Sequence, residues 1–442
     1  MTSTSEIYDF IGVGIGPANM SLAALSQPLA SVSARFYDRQ RSFAWHPGLL
    51  FPESFIQTSY LKDLVTPVDP TNPYSFLAFL VRHRRFYAFL TAAFPRVSRA
   101  EFSQYLAWVS RSLPSLRFDC SVDSIDLEDG AWQVTTREGV ARARDIVLGT
   151  GLRPYVPEFA RRFVGPTLHH AIHVGHHAPV TAGRRVAVIG GGQSGAELVH
   201  HLLRDDEAMP SRLLWVSRRE GFPPLDDSPF ANELFMPAYS AHFQAQEAHE
   251  RRRLLASQTL ASDGVSMSLL HDIYRRLYAL QLVEGRRVVR LLPGHDLVGL
   301  SRNGAGWDIE VRARGGHLSV ATVDLVLLAT GHRYEVPACL DPIRGRLHCD
   351  GEQLHVRDDF SVVWDGPSER RIFLQNGARH QRGVADPNLS LLAWRSAVIL
   401  NHLLGRTVYE CDTEASILDW SPQRVNADAR MSATSARMLA IA

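Results

Sequence analysis

Two glycine-rich turns, each between an apolar run and a helix-like segment, constrain this chain more than any other feature. The first lies in DFIGVGIGPANM at residues 9–20, and the second in VIGGGQSGAEL at residues 188–198. In each, the apolar stretch predicts a buried strand and the glycines predict a tight turn into a helix. The first of these helices is expected from Asn19 to about Leu29. Because each unit is followed by another short apolar strand, the sequence predicts two βαβ openings and two dinucleotide-binding domains.

The first turn has the features of a pyrophosphate site. Gly12 permits the bend, Gly14 lets the backbone approach a phosphate, and Gly16 precedes Pro17, which falls where a missing helical N–H costs little. Asp38 ends the next predicted strand, where its carboxylate is placed to accept from both ribose hydroxyls of an unphosphorylated adenosine. The alternative is a structural turn without a ligand. We expect FAD at this first site.

The second turn, with Gly190, Gly192 and Gly195, has the unmodified GxGxxG pattern. Its following strand ends in Ser217 and Arg218, and no acid is present there. A carboxylate would repel a 2′-phosphate, whereas a hydroxyl and a guanidinium bind it, so NADPH is favoured over NADH. The alternative is that Arg218 is a solvated surface residue that binds no phosphate.

Composition narrows the class of chemistry. The 442 residues are 45% hydrophobic, and 47 basic residues face 46 acidic ones, so the balance gives no electrostatic case for nucleic acid. Four dispersed cysteines without a CxxC pair argue against a disulfide reductase, which leaves NADPH-driven flavin chemistry with oxygen as acceptor.

No basic leader and no long apolar run is present, so we expect no membrane span and a soluble cytoplasmic protein. Residues 423–442 are expected to be a frayed tail.

The expected fold class is α/β, with two Rossmann-like domains and a smaller, mainly helical substrate-side segment. The segments DIVLGTGLRP and DLVLLATGHR have the same form, a strand and then a Thr-Gly turn, and are expected to close the two halves. We predict the FAD domain at residues 1–165 and 335–442, the NADPH domain at residues 166–220 and 283–334, and the substrate-side segment at residues 221–282.

Nineteen histidines invite a metal interpretation. Several occur as adjacent pairs, such as His169 and His170, but neighbours in a strand or helix face different ways. Neither an HExxH motif nor a carboxylate triad accompanies them, so no metal site is predicted.

Longer segments carry a family resemblance. They include FAWHPGLL, IQTSYLKDLVTPVDPTNPYSFLAFL, SDGVSMSLLHDIYRRLY and DPNLSLLAWRSAVILNHLLG. Over about residues 7–420 the chain resembles the flavin-dependent N-hydroxylating monooxygenases of siderophore biosynthesis, and within them the lysine-hydroxylating enzymes. The resemblance implies FAD at the first turn, NADPH at the second, and transfer of oxygen from a C4a-hydroperoxyflavin to the side-chain amine of L-lysine. The product, N6-hydroxylysine, would supply a hydroxamate siderophore.

The resemblance also implies residue roles. It places Trp45, His46 and Gln57 by the flavin ring, Lys62 and Asn232 at the substrate carboxylate, and Ser390 at the amine end. The expected catalytic residues are therefore Lys62, Gln57, Asn232 and Ser390, and the expected substrate ligands are Lys62, Asn232 and Ser390. The expected cofactor-binding residues are Gly12, Gly14, Gly16, Pro17, Asp38, Trp45, His46, Gln57, Gly190, Gly192, Gln193, Ser194, Gly195, Ser217, Arg218, Thr330 and Gly331.

Two departures from the family pattern leave the substrate open. Ser262 stands where the ornithine enzymes have a second asparagine, and Gln381-Arg382-Gly383 replaces a Thr-His-Gly. A diamine hydroxylase acting on cadaverine or putrescine is the first alternative and an L-ornithine enzyme the second. A redox-inactive flavoprotein is the alternative from another class. Lys62 favours an amino acid as the substrate, because a diamine has no carboxylate for the lysine to bind. The resemblance also suggests that the protein forms a homo-oligomer, a tetramer.

The expected reaction sets a condition on the site. Only a neutral amine has the lone pair that attacks oxygen, and a lysine side-chain amine is almost wholly protonated near neutral pH. We therefore expect a pocket without a carboxylate at its amine end.

Overall fold

The computed structural model describes residues 7–177, 179–411 and 416–420, so the predicted frayed tail lies outside the described residues. The strands are β1 (Ile7–Val13), β2 (Ala34–Tyr37), β3 (Leu116–Arg117), β4 (Val122–Glu128), β5 (Ala131–Thr136), β6 (Gly139–Leu148), β7 (Arg153–Pro154), β8 (Leu168–His170), β9 (Arg185–Ile189), β10 (Arg212–Ser217), β11 (Val289–Pro293), β12 (His295–Asn303), β13 (Gly306–Ala313), β14 (Leu318–Val323), β15 (Leu325–Leu328), β16 (His332–Arg333), β17 (Cys349–Asp350), β18 (Gln353–Leu354) and β19 (Ile372–Leu374).

The α-helices are α1 (Pro17–Ser26), α2 (Phe76–Arg82), α3 (Phe86–Ala92), α4 (Arg99–Ser112), α5 (Glu158–Arg161), α6 (Val174–His177), α7 (Gln193–Arg204), α8 (Pro229–Asn232), α9 (Pro237–Gln244), α10 (Ala248–Ser257), α11 (Thr259–Asp263), α12 (Met267–Tyr278), α13 (Arg379–Arg382) and α14 (Leu392–Leu404). Short 3₁₀ turns occupy Pro47–Leu49, Ala171–His173, Glu233–Phe235, Ala338–Arg346 and Leu389–Leu391, and a π turn, Ala279–Val283, extends α12.

The first βαβ unit shows how local sequence sets the element bounds. Gly16 is extended, at φ −84° and ψ 176°, and Pro17 occupies the first helical position, so α1 begins two residues before the predicted start at Asn19. It ends at Ser26; Gln27 still has helical angles, φ −57° and ψ −38°, and Pro28, which has no N–H to donate, stops the helical hydrogen bonding. Residues 18–26 are all buried, so α1 is a helix of the core.

The larger sheet is built around β1, which pairs in parallel with β2 on one side and β6 on the other. Its strand order is β3-β2-β1-β6-β5-β4, and β19 adds to β6 in parallel. β5 pairs antiparallel with both β4 and β6. The carboxyl ends of the parallel strands β1 and β6 therefore lie side by side, and the first glycine turn starts there.

The second sheet is parallel throughout, with the order β11-β10-β9-β15-β8. The antiparallel ladder β12-β13-β14 is inserted between β11 and β15. β9 leads into the second glycine turn and α7. The prediction of an α/β fold with two Rossmann-like units is confirmed.

The two Thr-Gly segments pair with each other between the sheets. β7 and β16 form a short antiparallel ladder in which His332 lies opposite Pro154. The N–H of Tyr155 donates to the carbonyl oxygen of Gly331 at 2.9 Å, and the hydroxyl of Thr330 donates to the carbonyl oxygen of Tyr155. The two chain connections between the sheets, at β7 and at β16, are therefore hydrogen-bonded to each other.

Helices α8 to α12 form the segment between β10 and β11. α12 packs against α7, and its buried side chains Leu269, Ile273 and Leu277 join the core of the second sheet. This region is helical, as the sequence predicts for residues 221–282, whereas the proposed domain bounds stay a prediction. Within the described residues, no helix combines the length and the apolar character needed to cross a membrane.

Candidate active site

The first glycine turn is closed on its sheet side and open at the helix end. A Cβ at Gly14, whose φ is +87°, would lie 2.5 Å from the carbonyl oxygen of Gly149. A Cβ at Gly12 would lie 2.1 Å from the ring of Phe36. At Gly16 the nearest atom would be 3.9 Å away, so space remains beside the N–H groups of the first helical turn. This arrangement fits a pyrophosphate.

Asp38 closes the same turn. One carboxylate oxygen accepts the backbone N–H of Ile15 at 2.7 Å, and the other accepts that of Gln40 at 2.8 Å. A carboxylate oxygen has a second lone pair, so capacity for ribose hydroxyls remains. The spacing in the sequence did not reveal this structural role, and the contact with ribose stays a prediction.

A buried chain of polar side chains runs from this turn to α14. Asn19 donates to the carbonyl oxygen of Gly14 at 2.8 Å and accepts from Gln375 at 2.8 Å. Gln375 accepts from Arg395 at 3.3 Å, and Arg395 pairs with Asp386 at 3.0 Å. Removing one partner of a buried ion pair such as Arg395–Asp386 costs about 3–5 kcal/mol. These contacts therefore hold the segment that starts at Asp386 in place against the first glycine turn.

The second glycine turn is equally compact. Gly190 has φ +133°, and a Cβ there would lie 2.1 Å from the carbonyl oxygen of Ala329. A Cβ at Gly195 would lie 2.0 Å from the carbonyl oxygen of Gly190, which also accepts the indole N–H of Trp215 at 2.9 Å. At Gly192, the N-cap of α7, the nearest atom would be 3.8 Å away. The open side again lies at a helix N-terminus, as a pyrophosphate requires.

A cavity of about 760 Å³ opens at this turn. We call it the larger cavity. Most of the predicted NADPH residues line it, namely Gly190, Gly192, Gln193, Ser194, Ser217, Arg218, Thr330 and Gly331.

Arginines are prominent in the lining of the larger cavity. Ser217 is buried and accepts the N–H of Arg219 at 3.2 Å, and Arg219 itself donates to the carbonyl oxygen of Asp263 at 2.7 Å. Arg218 is exposed, and both it and Arg312 from β13 line the cavity. Guanidinium groups in this lining suit a 2′-phosphate.

A second cavity of about 290 Å³, the smaller cavity, adjoins the first. The predicted flavin-side residues Trp45, His46 and Gln57 line it. Gln193, Ser194 and His332 line both cavities. A group bound in one cavity therefore faces a group bound in the other.

A chain of polar contacts supports this junction. Gln57 donates to Gln193 at 3.3 Å, and Gln193 donates to Glu197 at 2.9 Å. Glu197 forms a two-point pair with Arg99, at 2.8 and 2.9 Å, and Arg99 also donates to the carbonyl oxygen of Leu49. The side chains of Arg99 and Glu197 are 12% and 3% exposed, so water screens this pair little.

The smaller cavity is electrostatically unfavourable for a cation. Among the described residues that line it, none is Asp or Glu. Burial, with Arg99 and His332 nearby, lowers the pKa of His46 to about 4, and burial lowers the pKa of His332 as well. Both rings are neutral near pH 7. That this cavity is the amine pocket stays a prediction.

Ser390 lies beside the smaller cavity. Its hydroxyl is 3.2 Å from that of Thr58 and 2.8 Å from the side-chain oxygen of Asn388, and these two partners line the cavity. This contact joins the segment after Asp386 to the loop that carries Gln57.

Lys62 and Asn232 are not among the described residues that line either cavity. Lys62 is half-buried in a turn, and its backbone N–H donates to the carbonyl oxygen of Ser59 at 3.0 Å. Asn232 is exposed, and its amide donates to the carbonyl oxygen of Asp227 at 3.0 Å. The structure brings Gln57 and Ser390 to one cavity, and the substrate roles of Lys62 and Asn232 stay predictions.

The two departures from the family pattern have physical explanations. Ser262 lines the larger cavity and accepts from Arg379 at 3.1 Å. Arg382 is buried, stacks over the ring of Phe360 at 3.9 Å and donates to the carbonyl oxygen of Asp358. Arg382, at the end of α13, thus packs against the turn before β19, and it is not among the described residues that line either cavity.

Sequence reasoning missed several residues of the site, namely His295, Arg312, Arg99, His332 and Asn388. Asn388 stood in a segment that carries the resemblance, and His332 directly follows the predicted Thr330 and Gly331. Arg99 gave no signal, because its partner Glu197 is 98 residues away.

Two sheets, each with a glycine turn after a parallel strand, and two adjoining cavities define a flavoprotein that pairs FAD with a nicotinamide dinucleotide. The family model described as L-lysine 6-monooxygenase/L-ornithine 5-monooxygenase matches residues 6–334, and the chain belongs to this family. L-lysine N6-monooxygenase of Escherichia coli is 40% identical over 418 residues, which cover 93% of this chain and 98% of that protein.

Solved structures agree with this membership. The FAD-bound cadaverine monooxygenase of the desferrioxamine pathway of Erwinia amylovora has a TM-score of 0.89 at 28% identity, covering 95% of this chain and 99% of that one. The ornithine N-hydroxylase of Kutzneria sp. 744, solved with reduced FAD, NADP⁺ and L-ornithine, has a TM-score of 0.84 at 28% identity, covering 90% and 99%. The chain is an N-hydroxylating flavin monooxygenase of siderophore biosynthesis, and the predicted cofactors FAD and NADPH are confirmed.

Proposed function

We propose that this enzyme uses FAD, NADPH and O₂ to hydroxylate the side-chain amine of L-lysine, supplying N6-hydroxylysine for a hydroxamate siderophore. The proposal is supported by the lining of the smaller cavity, in which two neutral histidines occur, Glu197 balances the charge of Arg99, and no described lining residue is Asp or Glu. Such a lining disfavours an ammonium group.

The reaction needs this property. A lysine amine has a solution pKa of about 10.4, so about one molecule in a thousand is neutral near pH 7.4. Keeping the amine neutral in the site is therefore equivalent to about 4 kcal/mol of selective destabilisation of its ammonium form. A carboxylate in contact with the amine would act in the opposite direction.

The residues of the smaller cavity have distinct tasks in this account. Bound reduced FAD supplies the activated oxygen. Gln57 and Asn388 present amide groups to the cavity, and both are held in place, Gln57 by Gln193 and Asn388 by Ser390. Trp45, which packs on Phe102 with ring centroids 5.6 Å apart, helps to exclude water.

Lys62 is proposed to bind the carboxylate of the substrate, with Asn232 as a second contact. Lys62 is the sole lysine of the chain, and the other 46 residues counted as Lys or Arg are arginine. An ammonium group is a compact point charge on a flexible stem, whereas a guanidinium is a planar fork. Lys62 is a single lysine among arginines and lies five residues from Gln57 in the sequence. We infer that its role requires the compact charge of an ammonium group.

A diamine hydroxylase is the second candidate, acting on cadaverine or putrescine. The observation in its favour is the TM-score of 0.89 with a cadaverine monooxygenase. The 40% identity to an L-lysine enzyme and the retained Lys62 favour L-lysine, and L-ornithine is third. We also propose a cytoplasmic homo-oligomer, a tetramer.

The experiment compares Lys62→Met with the unaltered enzyme. Methionine has a similar length without charge, so KM for L-lysine should rise more than tenfold while KM for cadaverine stays within about twofold. Lys62→Arg, which keeps the charge, is the matched variant and should recover part of the affinity. Equal changes for both amines would show that Lys62 has no carboxylate to bind.

A further inference from the structure

His332 occupies the junction of the two cavities. It follows β15 and the Thr-Gly turn, and its side chain lines both the larger and the smaller cavity. Of the three residues shared by the cavities, Gln193 has its amide engaged by Gln57, Glu197 and Ser266. His332 faces the space where a flavin on one side meets a nicotinamide on the other.

The main chain holds His332 in place from two directions. It pairs with Pro154 in the β7–β16 ladder, and the preceding carbonyl oxygen, that of Gly331, accepts from both Tyr155 at 2.9 Å and the ring of His170 at 3.1 Å. The rings of His332 and His170 pack edge to face, with centroids 5.1 Å apart. The backbone of His332 is therefore fixed before a ligand arrives, while its ring has no hydrogen bond within the described residues that would prevent it from turning.

The polar atoms of the two histidines are used differently. In His170, Nδ1 accepts the N–H of Ile172 at 3.3 Å, so the ring proton is on Nε2, which donates to Gly331. In His332, Nε2 is buried and has no hydrogen-bond partner among the described residues. A buried polar atom without a partner is costly, so this atom calls for a ligand group.

The charges around His332 indicate which kind of ligand group it binds. Burial lowers the pKa of His332, and burial, with Arg99 and His332 nearby, lowers the pKa of His46, so both imidazoles are neutral near pH 7. The charge of Arg99 is balanced by Glu197. A nicotinamide ring becomes positive when it gives up its hydride, and a neutral imidazole accommodates that charge whereas an imidazolium would oppose it.

We propose that the imidazole ring of His332 rotates to bring Nε2 into the cavity, where it forms a hydrogen bond with the carboxamide of the nicotinamide ring and so orients that ring toward the flavin side. A carboxamide offers a donor and an acceptor, so either tautomer of the imidazole forms the bond. The inference rests on NADPH occupying the larger cavity and not on which amine is hydroxylated.

The test measures binding without any amine substrate. Dissociation constants are determined for NADP⁺ and for 2′-phospho-ADP-ribose, which lacks the nicotinamide, with His332→Phe, His332→Gln and the unaltered FAD-loaded enzyme. His332→Phe keeps a ring without nitrogen and should weaken NADP⁺ binding about tenfold, while the fragment binds as before. His332→Gln, whose amide reaches the position of Nε2, should recover most of the affinity.

His402→Phe, at an exposed histidine on α14, is the control and should bind both ligands normally. FAD content and the melting temperature are measured for every variant, so a folding defect is recognised. Unchanged NADP⁺ affinity in His332→Phe, or equal weakening of NADP⁺ and the fragment, would overturn the proposal. Failure to hydroxylate L-lysine would leave these binding results untouched, so it would count against the proposed substrate alone.

Discussion

Gln57 and Gln193 meet side chain to side chain, with Nε2 of Gln57 donating to Oε1 of Gln193 across 3.3 Å. The same oxygen accepts the N–H of Ser266 at 2.9 Å, and Nε2 of Gln193 donates to Glu197 at 2.9 Å. Gln57 belongs to the loop on the flavin side, and Gln193 is the first residue of α7 at the second glycine turn. This pair couples the two cofactor sites directly.

Gln193→Leu should therefore impair use of NADPH without loss of FAD. The substitution removes the acceptor of Ser266 and the partner of Gln57, and each lost hydrogen bond is worth about 1 kcal/mol. We expect KM for NADPH to rise about tenfold, measured by NADPH oxidation, with unchanged FAD content. Gln27→Leu, at an exposed residue after α1, is the matched control. Normal KM in Gln193→Leu would show that the pair is not coupled to the nucleotide.

The Arg99–Glu197 pair should contribute to stability as a buried unit. Glu197→Ala leaves a guanidinium that is 12% exposed without its partner, at a cost of about 3 kcal/mol in the free energy of unfolding. The double variant Arg99→Leu/Glu197→Leu should lose less than the sum of the single losses, as measured by urea titration.

The control for this cycle is Glu250→Ala, which breaks the exposed pair with Arg253. Its effect should be much smaller, because water screens that pair. Similar losses at both sites would mean that burial of Arg99 and Glu197 does not set their contribution.

Acid should destabilise the protein through His46. The folded pKa of about 4 lies below the usual 6.5, so the unfolded chain binds a proton that the folded one does not between these values. The contribution is present above pH 6.5 and is lost as pH falls toward 4. From pH 8 to pH 5 the unaltered protein should lose about 2 kcal/mol more than His46→Gln. Exposed His402→Gln is the control, and parallel pH profiles for His46→Gln and the unaltered protein would contradict the assignment.

Arg218 should carry preference for the phosphorylated nucleotide. Arg218→Ala removes a guanidinium from the wall of the larger cavity, so kcat/KM for NADPH should fall at least about tenfold while that for NADH changes little. Arg212→Ala, at the opposite end of β10, tests the general effect of losing one surface cation. Equal losses with NADPH and NADH would place recognition of the 2′-phosphate elsewhere, with Arg312 as the next candidate.

Local patterns in the sequence predicted the elements that surround both turns. The short apolar strand that was expected after the second glycine turn is β10, Arg212–Ser217, and it ends at the expected Ser217. The start of α1 was expected at Asn19, whereas Pro17 is already its first residue. In these segments the information lies within a few residues, so periodicity and turn chemistry suffice.

The long-range contacts that assemble the site could not be predicted from local sequence patterns. Thr58 meets Ser390 across 332 positions, and Arg99 meets Glu197 across 98. Neither contact has a local signature, and their burial depends on how the sheets pack. The resemblance supplied Gln57, Ser390 and the flavin-side residues, whereas His332 emerged only from the geometry of the two cavities.

The central claim, L-lysine as substrate, is tested most directly by competition. Equimolar L-lysine and cadaverine are incubated with the enzyme, FAD, NADPH and O₂, and the two hydroxylated products are quantified by mass spectrometry at low conversion. The product ratio equals the ratio of kcat/KM values. This account predicts that N6-hydroxylysine predominates by at least about tenfold and that the preference disappears in Lys62→Met. Predominant N-hydroxycadaverine would contradict it.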